Sequence, residues 1–151
     1  MAGIFPEMDS SIVYKEESEV PTLLKGYAWD FDNDEFLLDE QGKFIIVEGL
    51  EALKVRNYLQ LRIYRNRHFI HHGKVGSRLK ELIGKSYDYI CLHVQRYVEE
   101  AIVDNIYVNS IEDLEISINE EYISKIYITF RVNSIYGIYT EKIGGVTNGI
   151  L

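Results

Sequence analysis

The 151-residue chain has a single cysteine, Cys91, two prolines, Pro6 and Pro21, and a single tryptophan, Trp29. One cysteine excludes an internal disulfide, and a lone thiol between Ile90 and Leu92 in a helical pattern reads as an inert buried side chain. No run approaches the roughly 18 apolar residues of a membrane span, so no membrane partner is expected. The opening MAGIFPEMDSS has neither the basic flank nor the apolar core of a signal peptide, which leads to the expectation of assembly in the cytoplasm of the producing cell. Basic residues are scarce as well, 16 against 24 acidic for a net charge of −8. Such a balance repels a nucleic acid duplex unless the basic face is segregated. A chain of this length can bury about two thirds of the surface its unfolded form exposes, enough for one unassisted core.

What basic charge there is concentrates in one stretch. Between residues 51 and 80 stand eight basic residues and one acid, which leaves 8 basic against 23 acidic for the rest. In the same stretch Ala52, Val55, Leu59 and Ile63 recur at three- and four-residue steps, the spacing of one face of an α-helix, and Leu50, Leu53, Tyr58 and Leu61 widen its apolar side. Arg56, Arg62, Arg65 and Arg67 are the candidate partner-binding residues of this basic helix, because a planar guanidinium suits interface pairing. An acidic surface on a neighbour and the chain's own acidic N-terminal segment would satisfy them equally.

Residues 1–25 read as an extended, acid-rich arm that either orders against a partner or lies across its own domain. Three short strands around 27–31, 35–38 and 43–47, separated by the turns 32–34 and 39–42, fit a small antiparallel meander. After the basic helix comes a short amphipathic helix over 77–83, stopped by Gly84. A second long helix, capped by Ser86, runs to about Asn105, with Ile90, Val94, Tyr97, Val98, Ala101 and Ile102 as its stripe. Leu114, Ile116 and Ile118 alternate with polar residues, as do Ile126, Ile128, Phe130 and Val132, the period of half-buried strands. A turn at 119–121 joins these two, a second turn at 133–134 leads to a third strand over 135–143, and 144–151 is a loose tail. The fold class is α+β, one domain over 26–143 with a C-terminal three-stranded antiparallel sheet.

Motifs for chemistry are few. His68, His71 and His72 form HxxHH with neither the glutamate of HExxH nor a nearby cysteine, which favours ordinary imidazoles over zinc ligands. Asp30, Asp32 and Asp34 alternate like a calcium loop, but Glu35 stands where the loop needs glycine and Gln41 where it needs glutamate. No GxSxG or Walker sequence occurs. Glu48, Glu51 and Asp30 supply carboxylates that any acidic protein has. No catalytic residue, metal or cofactor is therefore assigned. The alternative to a protein-binding role is a small nucleic-acid-binding or regulatory domain, in which Tyr58 and Tyr64 would accompany the basic residues.

The YAWDF of residues 27–31, the EGxEAL of 48–53, Arg65, Gly76 with Leu79, the Leu82, Ile83, Gly84 run and the VNSIYG of 132–137 together resemble the baseplate wedge, or sheath-initiator, family of contractile phage tails. The similarity spans about residues 20–143 and points to the branch found in phages, prophages and tailocins of Gram-positive bacteria. Other branches carry a Glu-Pro-Arg triplet after the second long helix, and here Asp104, Asn105 and Ile106 stand in that region instead. The resemblance implies a non-enzymatic component of the virion or tailocin baseplate, and no residue matches a muramidase site despite the family's old lysozyme-like label. It implies six copies around the tail tube, with the sheath protein, other wedge proteins and tube-proximal baseplate proteins as partners. The terminal strand, with Ile135, Tyr136, Gly137, Ile138, Tyr139, Thr140 and Glu141, is the candidate sheath-binding edge for β-augmentation. Whether that edge is open or covered by the arm or tail is left open by the sequence.

Overall fold

A computed structural model describes residues 21–65, 75–118 and 125–146. The N-terminal strands are short: β1 Lys25–Tyr27, β2 Trp29–Asp30, β3 Glu35–Phe36 and β4 Ile46–Glu48. Their pairing closes further than a meander. β1 pairs with β4, β2 pairs with β3, and Leu38 bridges Phe44, so the three segments contact one another in a triangle. At its centre the backbone bonds run in a ring: the Ala28 N–H donates to the Ile45 carbonyl at 2.8 Å, Ile45 to Leu37 at 3.4 Å, and Leu37 back to Ala28 at 3.0 Å. Each segment is too short for a free-standing ladder, and the ring satisfies polar groups that would otherwise face the helix below.

Gly49, at φ +64°, turns β4 into α1, Leu50–Arg62, a conformation only glycine adopts without strain. Glu51 in the first turn complements the helix dipole. α1 buries Ala52, Leu53, Val55, Asn57 and Leu61, while Leu59 and Ile63 of the expected stripe are half-buried. The helix stops at Arg62, and Tyr64 bridges Ser77. That return is closed by Gly76 at φ +98°, where any Cβ would lie 2.6 Å from the Ile63 carbonyl oxygen. Ser77 then donates its N–H to the Ile63 carbonyl at 2.7 Å and its hydroxyl to the Leu61 carbonyl at 2.6 Å. Arg67, His68, His71 and His72 lie outside the described residues, as does the expected turn at 119–121.

The expected short helix is a 3-10 helix, Leu79–Leu82, which buries Leu79 and Leu82 at its two ends. α2, Tyr87–Ile102, is capped by Ser86, whose Oγ accepts from the Tyr89 N–H, and its whole expected stripe is buried. It ends three residues before Asn105. Cys91 is exposed, which corrects the buried thiol of the sequence reading: one residue from Ile90 is about 100° around the helix, so the thiol leaves the stripe. The C-terminal sheet has the order β5-β6-β7, with β5 Val108–Ile118, β6 Lys125–Ser134 and β7 Gly137–Val146, all antiparallel. The two helices lie against one face of it, and the core holds Leu53, Leu61, Val94, Tyr97, Val98, Phe130 and Val132.

Candidate functional site

Arg56 and Arg62 of the helix are held by the chain's own acids, and Arg65, which lies just beyond the helix end and not on it as expected, by backbone carbonyls. Arg56 pairs with Asp104 at 2.9 Å and lies 5.3 Å from the Tyr107 ring centroid. Arg62 pairs with Asp34 and donates to the Tyr58 hydroxyl. Arg65 donates to the Glu100 carbonyl at 2.8 Å and also bonds the Gly76 carbonyl. These pairs are only partly buried, so each contributes about 0–1 kcal/mol. Their geometric effect is larger, because Arg56 and Arg62 tie α1 to the turn after α2 and to the N-terminal lobe, and Arg65 ties the segment after α1 to α2.

Asp104 is the residue the sequence reading missed. Its Oδ1 accepts the N–H groups of Ile106, Tyr107 and Val108 at 2.8–3.0 Å, and its Oδ2 takes Arg56. Burial pushes this carboxyl up, but the three N–H donors and the guanidinium outweigh it and hold the group below the usual aspartate range. Asp30 organises the first turn in the same manner, accepting from the Asn33 side chain and from the backbone of Asn33 and Asp32; these bonds lower its carboxyl. The alternating acids of 30–34 are therefore turn residues, and among the described residues no group of histidine, cysteine and acids converges to hold a metal ion.

The expected sheath-binding strand divides into two parts. Ile135 and Tyr136 are not in the strand; they form the two-residue turn before β7, which moves the expected turn from 133–134. β6 stays paired through Ser134, and Gly137, at φ +131°, is the position where the chain can reverse. The Ile135 N–H donates to the Tyr107 carbonyl, and the Tyr136 hydroxyl accepts from the Leu24 N–H at 2.9 Å. The Tyr107 hydroxyl donates to the Thr22 carbonyl, so two tyrosines stacked 6.2 Å apart hold the incoming chain. From Gly137 on, the strand alternates: Ile138, Thr140 and Lys142 are exposed, whereas Tyr139, Glu141 and Ile143 turn toward α1. β7 also runs to Val146, three residues beyond the expected end at 143.

The two edges of this sheet differ. β6 and β7 pair without irregularity from Lys125–Val146 to Ser134–Gly137. β5 is interrupted twice, with Asp113 at φ +50° and Arg131 bridging both Glu112 and Asp113. Bulges blunt an edge against added strands, and β7 has no register shift against β6, although it carries the exposed Lys142. Among the described residues no second strand pairs with β7.

On the inner side of β7, Asn57 donates its amide to the Tyr139 hydroxyl at 2.8 Å, and burial pushes the Tyr139 phenol up to about 12. Beside it a groove of about 390 Å³ opens between α1 and β7, lined by Phe31, Tyr58, Arg62, Glu141 and Ile143. Burial pushes the Glu141 carboxyl up to about 7, with Lys54 partly offsetting it. A carboxyl raised on folding binds its proton more tightly in the native state. Its cost is therefore absent below the ordinary value of 4.5 and grows as pH rises through 7. Glu141→Gln is expected to add about 2 kcal/mol of stability at pH 8 and almost nothing at pH 4, measured by urea unfolding at the two pH values. The sequence signal for this residue was a lone acid in the inward register of Tyr139 and Ile143.

The described residues form an α+β fold whose basic helix is paired internally and whose terminal sheet has one bulged edge and one regular ten-residue edge, with no catalytic or metal-binding cluster among them. The chain belongs to the contractile injection system sheath initiator family, whose model matches residues 25–137. Comparison with individual curated proteins finds no match. Membership gives it a structural role in sheath initiation at the baseplate, with sheath and baseplate components as partners. No helix among the described residues is long and apolar enough to cross a membrane.

Proposed function

We propose that this protein templates the first ring of sheath by lending the outer edge of β7 to a strand of a sheath subunit, one copy in each of six wedges around the tail tube. The observation that carries this reading is the contrast between the regular β7 and the bulged, charged β5. Alternate residues of an antiparallel edge strand present N–H and C=O outward, so ten residues offer roughly five positions for a continuing ladder. Each added bond contributes about 0.5–1.5 kcal/mol net, enough in sum to orient a subunit. The family match ends at Gly137, where β7 begins, so the role of this strand rests on its geometry. Arg56, Arg62 and Arg65 enter the reading as braces that keep α1 fixed beneath the sheet, while the rest of the domain joins the wedge to the tube region.

The test is polymerisation of purified sheath protein with and without the full chain, followed by hydrogen–deuterium exchange of the seeded complex. The chain should shorten the lag, and β7 amides exposed in the free protein should become protected while those of β5 do not. Seeding without protection of β7 would assign the sheath to another face.

A further inference from the structure

The N-terminal lobe presents a face that no other element among the described residues covers. Residues paired across strands lie on the same side of a sheet, and the pairs Tyr27–Ile46, Trp29–Phe36 and Leu38–Phe44 therefore place six large apolar side chains together. Ring contacts hold them as a unit: Tyr27 lies 5.2 Å from Phe44, Phe36 5.4 Å from Phe44, and Trp29 4.7 Å from Phe36. The alternate residues Gly26 and Ala28 face the other way, Gly26 toward Ala52 of α1 and Ala28 buried. Five of the six outward residues are between 41% and 64% exposed, Ile46 the most. At roughly 80 Å² apiece for half-exposed side chains of this size, these five amount to roughly 400 Å². That equals the largest apolar patch of an ordinary monomer, about 300–600 Å² and often functional, and about half of the roughly 800 Å² that one partner contributes to a standard interface.

Charge selects among the possible occupants. The turns bounding this face, within residues 30–43, hold six acids against the single Lys43, and among the described residues only Asp34 of the six is offset from outside, by Arg62. A second copy would bring the same acids against them, and the chain's own residues 1–20 carry five acids against one lysine. Both would meet like charge at the rim.

We infer that the face formed by Tyr27, Trp29, Phe36, Leu38, Phe44 and Ile46 docks this protein onto a baseplate neighbour whose apolar surface is rimmed by lysine and arginine. The assignment of the neighbour to the baseplate rests on the proposed function; the face and its chemistry do not. It divides the molecule into a sheath-facing end at β7 and a baseplate-facing end at the lobe.

The experiment places the photo-crosslinking residue benzoylphenylalanine at position 44 of the full chain in cells producing the particle, and maps the crosslinks by mass spectrometry. Crosslinks to a baseplate protein other than the sheath, within a segment of net positive charge, are the expected result. Crosslinks to residues 1–20, to a second copy or to the sheath, or none in assembled particles, would overturn the inference. In parallel, the double variant Phe44→Ser, Ile46→Ser should melt like the parent and still seed purified sheath, yet enter particles at least tenfold less. Incorporation at the parental level would also overturn it. Failure of the unmodified chain to seed sheath would instead strike the proposed function, and the crosslinks at position 44 would be read independently of it.

Discussion

Phe130→Ala is expected to lower the free energy of unfolding by about 3–5 kcal/mol. Phe130 sits at the middle of β6, the central strand of the sheet, and is 1% exposed. It pairs with Glu141 of β7 and belongs to the cluster that α1 and α2 complete from above. Truncation removes the transfer energy of the ring and leaves a cavity bounded by two helices and a sheet, elements that cannot all move inward together. Domains of this size have only about 5–15 kcal/mol in total, so the variant would stand near the limit of folding. Urea unfolding followed by Trp29 fluorescence checks it. The control is Ile138→Ala on the outer face of β7, 61% exposed, which should change stability by less than about 0.5 kcal/mol. Equal effects at the two positions would mean that the sheet is not packed as described.

Asp104→Ala is expected to cost about 3 kcal/mol, an effect out of scale for a half-exposed acid in a loop. The reason lies in the number of bonds it closes. Three consecutive N–H groups at the start of β5 lose their acceptor together, and Arg56 loses its charge partner. Asp104→Asn keeps an oxygen for the three N–H donors and should cost about 1 kcal/mol, so the pair of variants separates the turn from the ion pair. The pH dependence carries its own sign. A carboxyl held below its ordinary value of 3.8 contributes stability that is present above that value and lost as pH falls through the depressed one. The parent should therefore lose more stability than Asp104→Asn between pH 5 and pH 2. Equal losses would remove Asp104 from the acid response.

How far the sequence reached differs from element to element. The stripe of α2 was legible residue for residue, because its six positions at helical spacing all lie on the buried side of the helix. α1 was legible as a broad stripe: Ala52, Val55, Leu53 and Leu61 of the expected apolar side are buried, while Leu59 and Ile63 are only half-buried, because the helix is covered by the lobe on one side and the sheet on another. The alternation of β5 and β6 showed through because one face of the sheet is covered by helices and the other is not. The start of β7 was misplaced by two residues, since Ile135 and Tyr136 are apolar enough to read as strand while their polar atoms are engaged by Tyr107 and Leu24.

The sequence by itself determined the α+β class, the two helices, the terminal sheet and the resemblance to a sheath initiator. These follow from periods of 3.6 and 2 and from motif order, which are local properties that survive without knowledge of partners. Only the tertiary structure decided where the charges went, which edge of the sheet is regular, and which aromatics remain outside. Arg56 meets Asp104 across 48 residues, Arg62 meets Asp34 across 28, and Tyr136 meets Leu24 across 112. Contacts of such separation are set by the packing of whole elements, and no local pattern around either residue encodes them.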